Sequence, residues 1–204
     1  MDRMNQRRRV LVWMGAAALA PLAATPALAD DVPPTPRLTE GPFYPRSFPK
    51  DTDADLTRVE GHAARAMGTL LALSGRIVDR RGTPRTGASL EIWQCDATGQ
   101  YHHVGEPGGD PDFQGFGAVT VDADGRYAFT TIKPVPYPGR TPHIHFTVVE
   151  KGRRTLTSQM FIEGEAGNER DFLYRSLGGD ARRVTLKLAS AGEGLRGALD
   201  IVVA

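Results

Sequence analysis

Four closely spaced prolines, at 134, 136, 138 and 142, rule out a helix through the middle of this chain. Each fixes its own φ and restricts the residue before it, so Tyr137 is held on a stiff, low-entropy arm. Past Pro142 the pattern changes: Ile144, Phe146, Val148 and Val149 read as a strand running to Glu150. Successive side chains of a strand alternate faces, so His143 and His145 point the same way. A rigid arm thus feeds a strand that aims two imidazoles at one point.

The remaining apolar segments also read as strands. Leu71 to Asp79 and Ser89 to Gln94 form a pair around a turn at residues 80–87, and Ala118 to Val121 and Tyr127 to Ile132 form a hairpin around Asp122-Ala123-Asp124-Gly125. Thr155 to Ile162, Arg182 to Ala189 and Ala198 to Val203 supply the rest. Only Asn168 to Leu177 reads as a helix, with Phe172, Leu173 and Leu177 on the side that caps the strands. At least seven strands with hardly any helix predict an all-β fold, an antiparallel sandwich. The Gly82-x-Pro84 connection and the Gly87-Ala88-x-Leu90 return resemble transthyretin-like (prealbumin-like) sandwiches, which speaks to fold and not to chemistry.

With 204 residues, 40% of them hydrophobic, the chain can bury a core as one domain without disulfides. Residues 1–29 stand apart: Arg7, Arg8 and Arg9 precede an uncharged run ending in Ala27-Leu28-Ala29, the pattern of an export signal cleaved before Asp30. Arg7-Arg8-Arg9-Val10-Leu11 fits a twin-arginine signal, with general secretory export as the rival. An uncleaved anchor is disfavoured by Pro21, Pro26 and the alanine-rich tail, so no stable membrane insertion is expected after cleavage, and the mature protein is expected in the periplasm or outside the cell. Residues 30–69 are expected to form an extended arm and loop, and 70–204 the sandwich domain. Cleavage takes four of the 25 basic residues and one of the 24 acidic ones, leaving 21 against 23, a net charge of −2. No basic run survives in the mature part, which excludes nucleic acid as a partner.

Several features have plain readings. The acidic tetrapeptide at 122–125 lacks the downstream spacing of a calcium loop and is a turn. Lone Cys95 sits in an apolar strand pattern as a buried, inert thiol. Thr39-Glu40-Gly41-Pro42-Phe43-Tyr44-Pro45 is a loop whose rings either pack on the surface or line a pocket. The glycine-rich stretch 97–117 is long enough to be functional, and it carries Tyr101 followed by His102 and His103, two surface histidines or supports for Tyr101.

A His-x-His pair alone suits zinc, copper or a solvent face. Tyr101 and Tyr137, which both lie beside turns, extend it to a set of two phenols and two imidazoles. Arg140 reads as a loop salt bridge or an anion stabiliser, and Gln159 as a substrate contact or a partner for neighbouring backbone.

The order Trp93-Gln94-x-Asp96-Ala97-x-Gly99-x-Tyr101, Gly115-x-Gly117, Thr131-Ile132-Lys133-Pro134-x-Pro136-Tyr137-Pro138, Arg140-x-Pro142-His143-Ile144-His145-Phe146 and Gln159-Met160 resembles the intradiol ring-cleavage dioxygenases, the family of protocatechuate 3,4-dioxygenase and catechol 1,2-dioxygenase. The resemblance runs from about Thr39 to about Leu177. It implies a non-haem Fe(III) held by Tyr101, Tyr137, His143 and His145, with Arg140 and Gln159 over the substrate ring. It further implies that Tyr137 and His143 are axial, that Tyr101 and His145 are equatorial, and that Tyr137 detaches and takes a proton as a catechol chelates. O2 then opens the ring between its hydroxyl-bearing carbons to a muconate-type diacid. Family members are commonly oligomeric, and a homo-oligomer is one assembly this implies. Fe(III) is a hard cation, and two phenolates with two neutral imidazoles suit it independently of the resemblance.

Departures from the family pattern are local. Only Pro138 and Gly139 separate Tyr137 from Arg140, where well-known members carry an insertion, and Ala118 and Val121 replace a common arginine and threonine. A shortened loop predicts an open pocket that admits substituted or bulky catechols. Two other classes compete: a transthyretin-like binding module without chemistry, which leaves the four donors unexplained, and a copper- or zinc-binding accessory protein using His143 and His145 alone.

Overall fold

The computed structural model describes residues 31–102 and 108–204; the expected export signal over 1–29 and His103 lie outside the described residues. In chain order the elements are β1 (Leu70–Asp79), β2 (Ser89–Trp93), β3 (Phe116–Thr120), β4 (Arg126–Ile132), β5 (His143–Glu150), β6 (Arg153–Ile162), α1 (Phe172–Ser176), a 3₁₀ helix (Gly178–Val184), β7 (Thr185–Leu186), β8 (Ala189–Ala191), β9 (Gly194–Ala198) and β10 (Ile201–Val203). Two five-stranded sheets form a sandwich. One places β4 on one side of β1 and β9 and β10 on the other, with β8 outside β9; the second has the order β3-β2-β5-β6-β7.

The all-β sandwich expected from the sequence is present, but its pairing departs from the expectation in three ways. β1 pairs with β4 while β2 pairs with β3 and β5, so both expected hairpins, β1 with β2 and β3 with β4, instead send their strands to opposite sheets. Secondly, β9 and β10 run parallel to β1, and β7 runs parallel to β6, within an otherwise antiparallel arrangement. Thirdly, the strand expected over 182–189 is broken up: its first three residues end the 3₁₀ helix, whose buried Ala181 and Val184 recur every third position, and only Thr185–Leu186 and Ala189 are strand. The hairpin of β5 and β6 does close locally: Lys151 and Gly152 both have positive φ, 51° and 72°, the signature of a tight turn whose twist matches the strands.

The expected helix over 168–177 shrinks to Phe172–Ser176. The Asp171 carboxylate caps it by accepting from the Leu173 and Tyr174 N–H groups, while the Asn168 side chain is committed to the Ile162 carbonyl. It buries no residue and Phe172 is 64% exposed, so this helix does not cap the core as expected.

Leu71, Leu73 and Ile77 of β1 and Phe129 of β4 meet Leu90, Ile92, Ile144, Phe146, Val148 and Met160 across the sandwich. Each such side chain contributes on the order of 1.5–3 kcal/mol of burial. Strand β5 is buried on both faces over residues 143–148. Its even-numbered residues fill the core, so His143, His145 and Thr147 project from the opposite face and need a separate cover.

The arm supplies that cover. The Thr35 N–H donates to the Val202 carbonyl (2.9 Å), the Leu38 N–H to the Thr157 carbonyl (3.0 Å) and the Ser158 hydroxyl to the Pro36 carbonyl (2.6 Å). The chain is thereby led from β10 along β6 until residues 39–48 lie over the outer face of the second sheet. Asp122 accepts from the Asp124 and Arg126 N–H groups, so the 122–125 segment is the turn its sequence indicates. Cys95 is buried, 3.6 Å from the Val135 carbonyl, and burial lifts its thiol to about 11. No helix among the described residues is long and apolar enough to cross a membrane.

Candidate active site

Strand register builds the floor of the site. Trp93, His145 and Gln159 sit opposite one another on β2, β5 and β6, and His143 lies opposite Phe161, so these side chains share one face. Trp93 stacks on the His145 ring with centroids 5.0 Å apart and planes 13° from parallel, which fixes that imidazole. The His143 Nδ1–H donates to the Thr141 carbonyl (2.6 Å), an atom that can only accept, so its Nε2 carries the free lone pair. Burial, then the Arg140 charge, lowers the His143 pKa to about 4, and burial with neighbouring His143 holds His145 well below the ordinary histidine range. Both imidazoles are therefore neutral at pH 7.

The proline arm brings in the third donor. Tyr137, Pro138, Gly139 and Arg140 form a turn closed by the Arg140 N–H donating to the Tyr137 carbonyl (2.9 Å), with Gly139 at φ 82° where an L side chain is strained. This turn sets Tyr137 and Arg140 side by side, Nη1 donating to the phenol oxygen at 3.5 Å. The Tyr137 oxygen is 3.4 Å from His143 Nε2, and the two Nε2 atoms face each other at 3.1 Å. Tyr101 closes the set, its ring centroid 5.9 Å from Tyr137 and 6.0 Å from His145. Its buried hydroxyl has no hydrogen-bond partner of normal geometry among the described residues, nor has His145 Nδ1. Burial raises the pKa of both phenols, partly offset at Tyr137 by Arg140, so they ionise only with a cation close by.

All six residues singled out from sequence, Tyr101, Tyr137, Arg140, His143, His145 and Gln159, come together. Arg140 makes the salt bridge read for it, its Nε donating to Asp171 (2.8 Å), and at the same time points Nη2 at the Gln159 oxygen (2.5 Å). Gln159 spends its own N–H on the Thr39 carbonyl (3.1 Å), holding the arm over the site. Sequence reasoning missed Asp171, which accepts from Arg140, from the Thr141 N–H (3.0 Å) and from the helix start. Burial opposes its charge, but those donors keep its carboxyl below the usual range. An aspartate directly before a helical run is a cap signal that sequence does carry; its link to Arg140 is not. Phe43, whose segment had two readings, lines the site: it stacks on Tyr101 at 4.3 Å and meets Tyr137 edge-on. The His102 Nε2–H donates to the buried Asp96 carboxylate (2.9 Å), so it supports the Tyr101 loop.

The donor set can be tested against a metal. Two imidazole nitrogens bound cis at about 2.1 Å would stand roughly 3.0 Å apart, and the observed separation is 3.1 Å. Among the described residues no group of three or more His, Cys, Asp and Glu is placed to hold a metal, so any protein donors beyond the two imidazoles would be the phenols. The residues fit a hard cation. Beside them a cleft of about 340 Å³ is bordered by Tyr137, Gly139, Arg140, Gly167 and Arg170.

A family model described as Dioxygenase matches residues 39–194. The chain is 34% identical over 168 residues to the protocatechuate 3,4-dioxygenase beta chain of Burkholderia cepacia, covering 74% of this chain and 71% of that one. It is 31% identical over 158 residues to catechol 1,2-dioxygenase 1 of Acinetobacter lwoffii, covering 69% of this chain and 50% of that one, so it spans half the length of that relative. Among solved structures, the dioxygenase domain of a dioxygenase and carbohydrate-binding fusion from Streptomyces sp. SirexAA-E superposes with a TM-score of 0.69 at 33% identity, covering 84% of this chain and 98% of that one. An intradiol ring-cleavage dioxygenase from Tetranychus urticae superposes with a TM-score of 0.70 over 84% and 94%; at 23% identity this likeness is one of fold.

Proposed function

The chain belongs to the intradiol ring-cleavage dioxygenases, a family that uses non-haem Fe(III), and from that premise we propose that it cleaves a catechol-type diol with O2 to a muconate-type diacid. Both oxygen atoms enter the product, so the reaction needs no external reductant. One observation carries the reading: two neutral imidazoles with Nε2 atoms 3.1 Å apart meet a buried phenol, Tyr101, and a half-buried one, Tyr137.

Tyr101, Tyr137, His143 and His145 would hold the iron. When bound, Fe(III) supplies Lewis acidity that makes the chelated diol an electron-rich dianion. The protein does the rest. Tyr137, placed at the cleft and touched by Arg140, would, as the phenolate that a bound cation stabilises, accept one of the two protons the diol gives up, the other passing to hydroxide or solvent. Arg140 stabilises negative charge that develops on the ring, its guanidinium fixed by Asp171 and Gln159 so that little reorganisation is needed. Phe43 and residues 39–48 exclude water from the buried side. The two-residue connection between Tyr137 and Arg140, with open space around Gly139, leaves the cleft open, which supports tolerance of substituted and bulky catechols. Residues 1–29 support export to the periplasm or beyond, and an exported protein would begin at Asp30 on N-terminal sequencing.

The test is spectral and kinetic. Iron-loaded protein should show a visible tyrosinate-to-Fe(III) absorption that Tyr137→Phe alters, and should consume one O2 per catechol; a colourless iron-loaded protein without O2 uptake on a catechol panel would refute the proposal.

A further inference from the structure

Arg170 is the charge that the reaction does not use. It borders the same cleft as Tyr137 and Arg140, is exposed, and its guanidinium has no hydrogen-bond or carboxylate partner among the described residues; only its backbone N–H is engaged, with the Gly167 carbonyl. The other charges at the cleft cancel, since Arg140 is paired with Asp171 at 2.8 Å. Neighbouring acids are turned elsewhere: Glu169 and Glu165 line a separate cleft with Tyr174, and Glu165 is engaged by Lys133 at 2.7 Å. One uncompensated positive charge thus stands at the mouth of a cavity whose volume, about 340 Å³, lies at the small-molecule end of ligand sites. Nearby, the Phe172 ring is 64% exposed with the Arg140 guanidinium carbon 5.8 Å from its centroid, an apolar surface beside Arg140.

Resting on the ring-cleavage reading, we infer that Arg170 selects diols bearing a carboxylate on the ring or on a short side chain, by pairing with that anion while the hydroxyls face Tyr137 and His143. Open space around Gly139 leaves room for the substituent to pass between the ring and Arg170. Because Arg170 is solvent-exposed, the pairing is screened and the preference is moderate, about three- to tenfold. It is also salt-dependent. Arg170 acts on binding, so the effect falls on KM and leaves kcat alone.

The experiment compares 3,4-dihydroxybenzoate with catechol, which differ by the carboxylate, using iron-loaded wild type, Arg170→Gln and Arg170→Lys. Anaerobic titration gives Kd and aerobic assay gives kcat and KM. Wild type should favour 3,4-dihydroxybenzoate by about three- to tenfold at low salt. Arg170→Gln should abolish the preference through the KM of that substrate only, with catechol kinetics and thermal midpoint unchanged, and Arg170→Lys should retain part of it. Equal affinity of wild type for both diols, or a Gln variant that weakens both equally or neither, overturns the inference. Should no diol be cleaved, the ring-cleavage reading fails by itself, and calorimetric titration of 3,4-dihydroxybenzoate into the purified protein still decides on Arg170: threefold or greater loss in the Gln variant supports it, and no loss or no binding overturns it.

Discussion

Tyr101 holds a buried hydroxyl with no normal hydrogen bond, an arrangement that costs about 1–3 kcal/mol in the metal-free protein. Removing it should therefore help folding while harming the centre. Tyr101→Phe is expected to raise the metal-free thermal midpoint by a few degrees, a shift of about 1–2 kcal/mol, and to weaken the visible absorption of the iron-loaded form; calorimetry and spectroscopy check the pair. Asp171 behaves oppositely, since it joins Arg140, the Thr141 N–H and the start of α1. Asp171→Asn keeps a capping oxygen but gives up the charge, and kcat/KM should fall about 10- to 100-fold with iron content unchanged. Tyr137, His143 and His145 were legible as a cluster because phenols and imidazoles are unusual on a proline-fixed turn and one face of a strand, whereas Tyr101, in the glycine-rich loop, joined them through the family resemblance. Asp171 was not, because the bond to Arg140 spans 31 residues and no local pattern announces it.

At the scale of elements, the turn Tyr137-Pro138-Gly139-Arg140 and strand β5 together set the site. An added Cβ at Gly139 meets nothing within 4 Å, so Gly139→Ala tests backbone conformation alone: φ 82° should cost about 1 kcal/mol. Urea unfolding should show that loss, and kcat should drop because Tyr137 and Arg140 move apart. Alternation in β5 was readable and placed His143 and His145 correctly. Which strand pairs with which was not, because a period of two tells the face of a residue and nothing about its neighbour across the ladder. Hence the expected hairpins β1 with β2 and β3 with β4 were replaced by crossings between sheets. The Asn168–Leu177 expectation was too long because the apolar pattern does not reveal that Asn168 bonds the Ile162 carbonyl and Asp171 starts the helix.

For the whole molecule, acid stability follows from Asp96. Burial raises its pKa, but donors from Thr98, Asp110, Gln100 and His102 outweigh this and bring it from 3.8 to about 2. A carboxyl depressed on folding contributes stability that is complete above its unfolded value and is lost as pH falls through its folded value. Unfolding free energy should thus decline between about pH 4 and pH 2, by roughly 1–2 kcal/mol after allowing for solvent screening. Chemical denaturation across that range, with Asp96→Asn showing a flatter profile, checks the assignment.

Strand β5 also divides labour in a way that bears on how such proteins diversify. Its even positions answer to the sandwich and its odd ones to the chemistry, while the arm and the 167–171 segment that surround the odd side are held by hydrogen bonds and ring contacts outside the main core. Selection can thus retune which ring is admitted by rewriting those surroundings, without disturbing what keeps the chain folded.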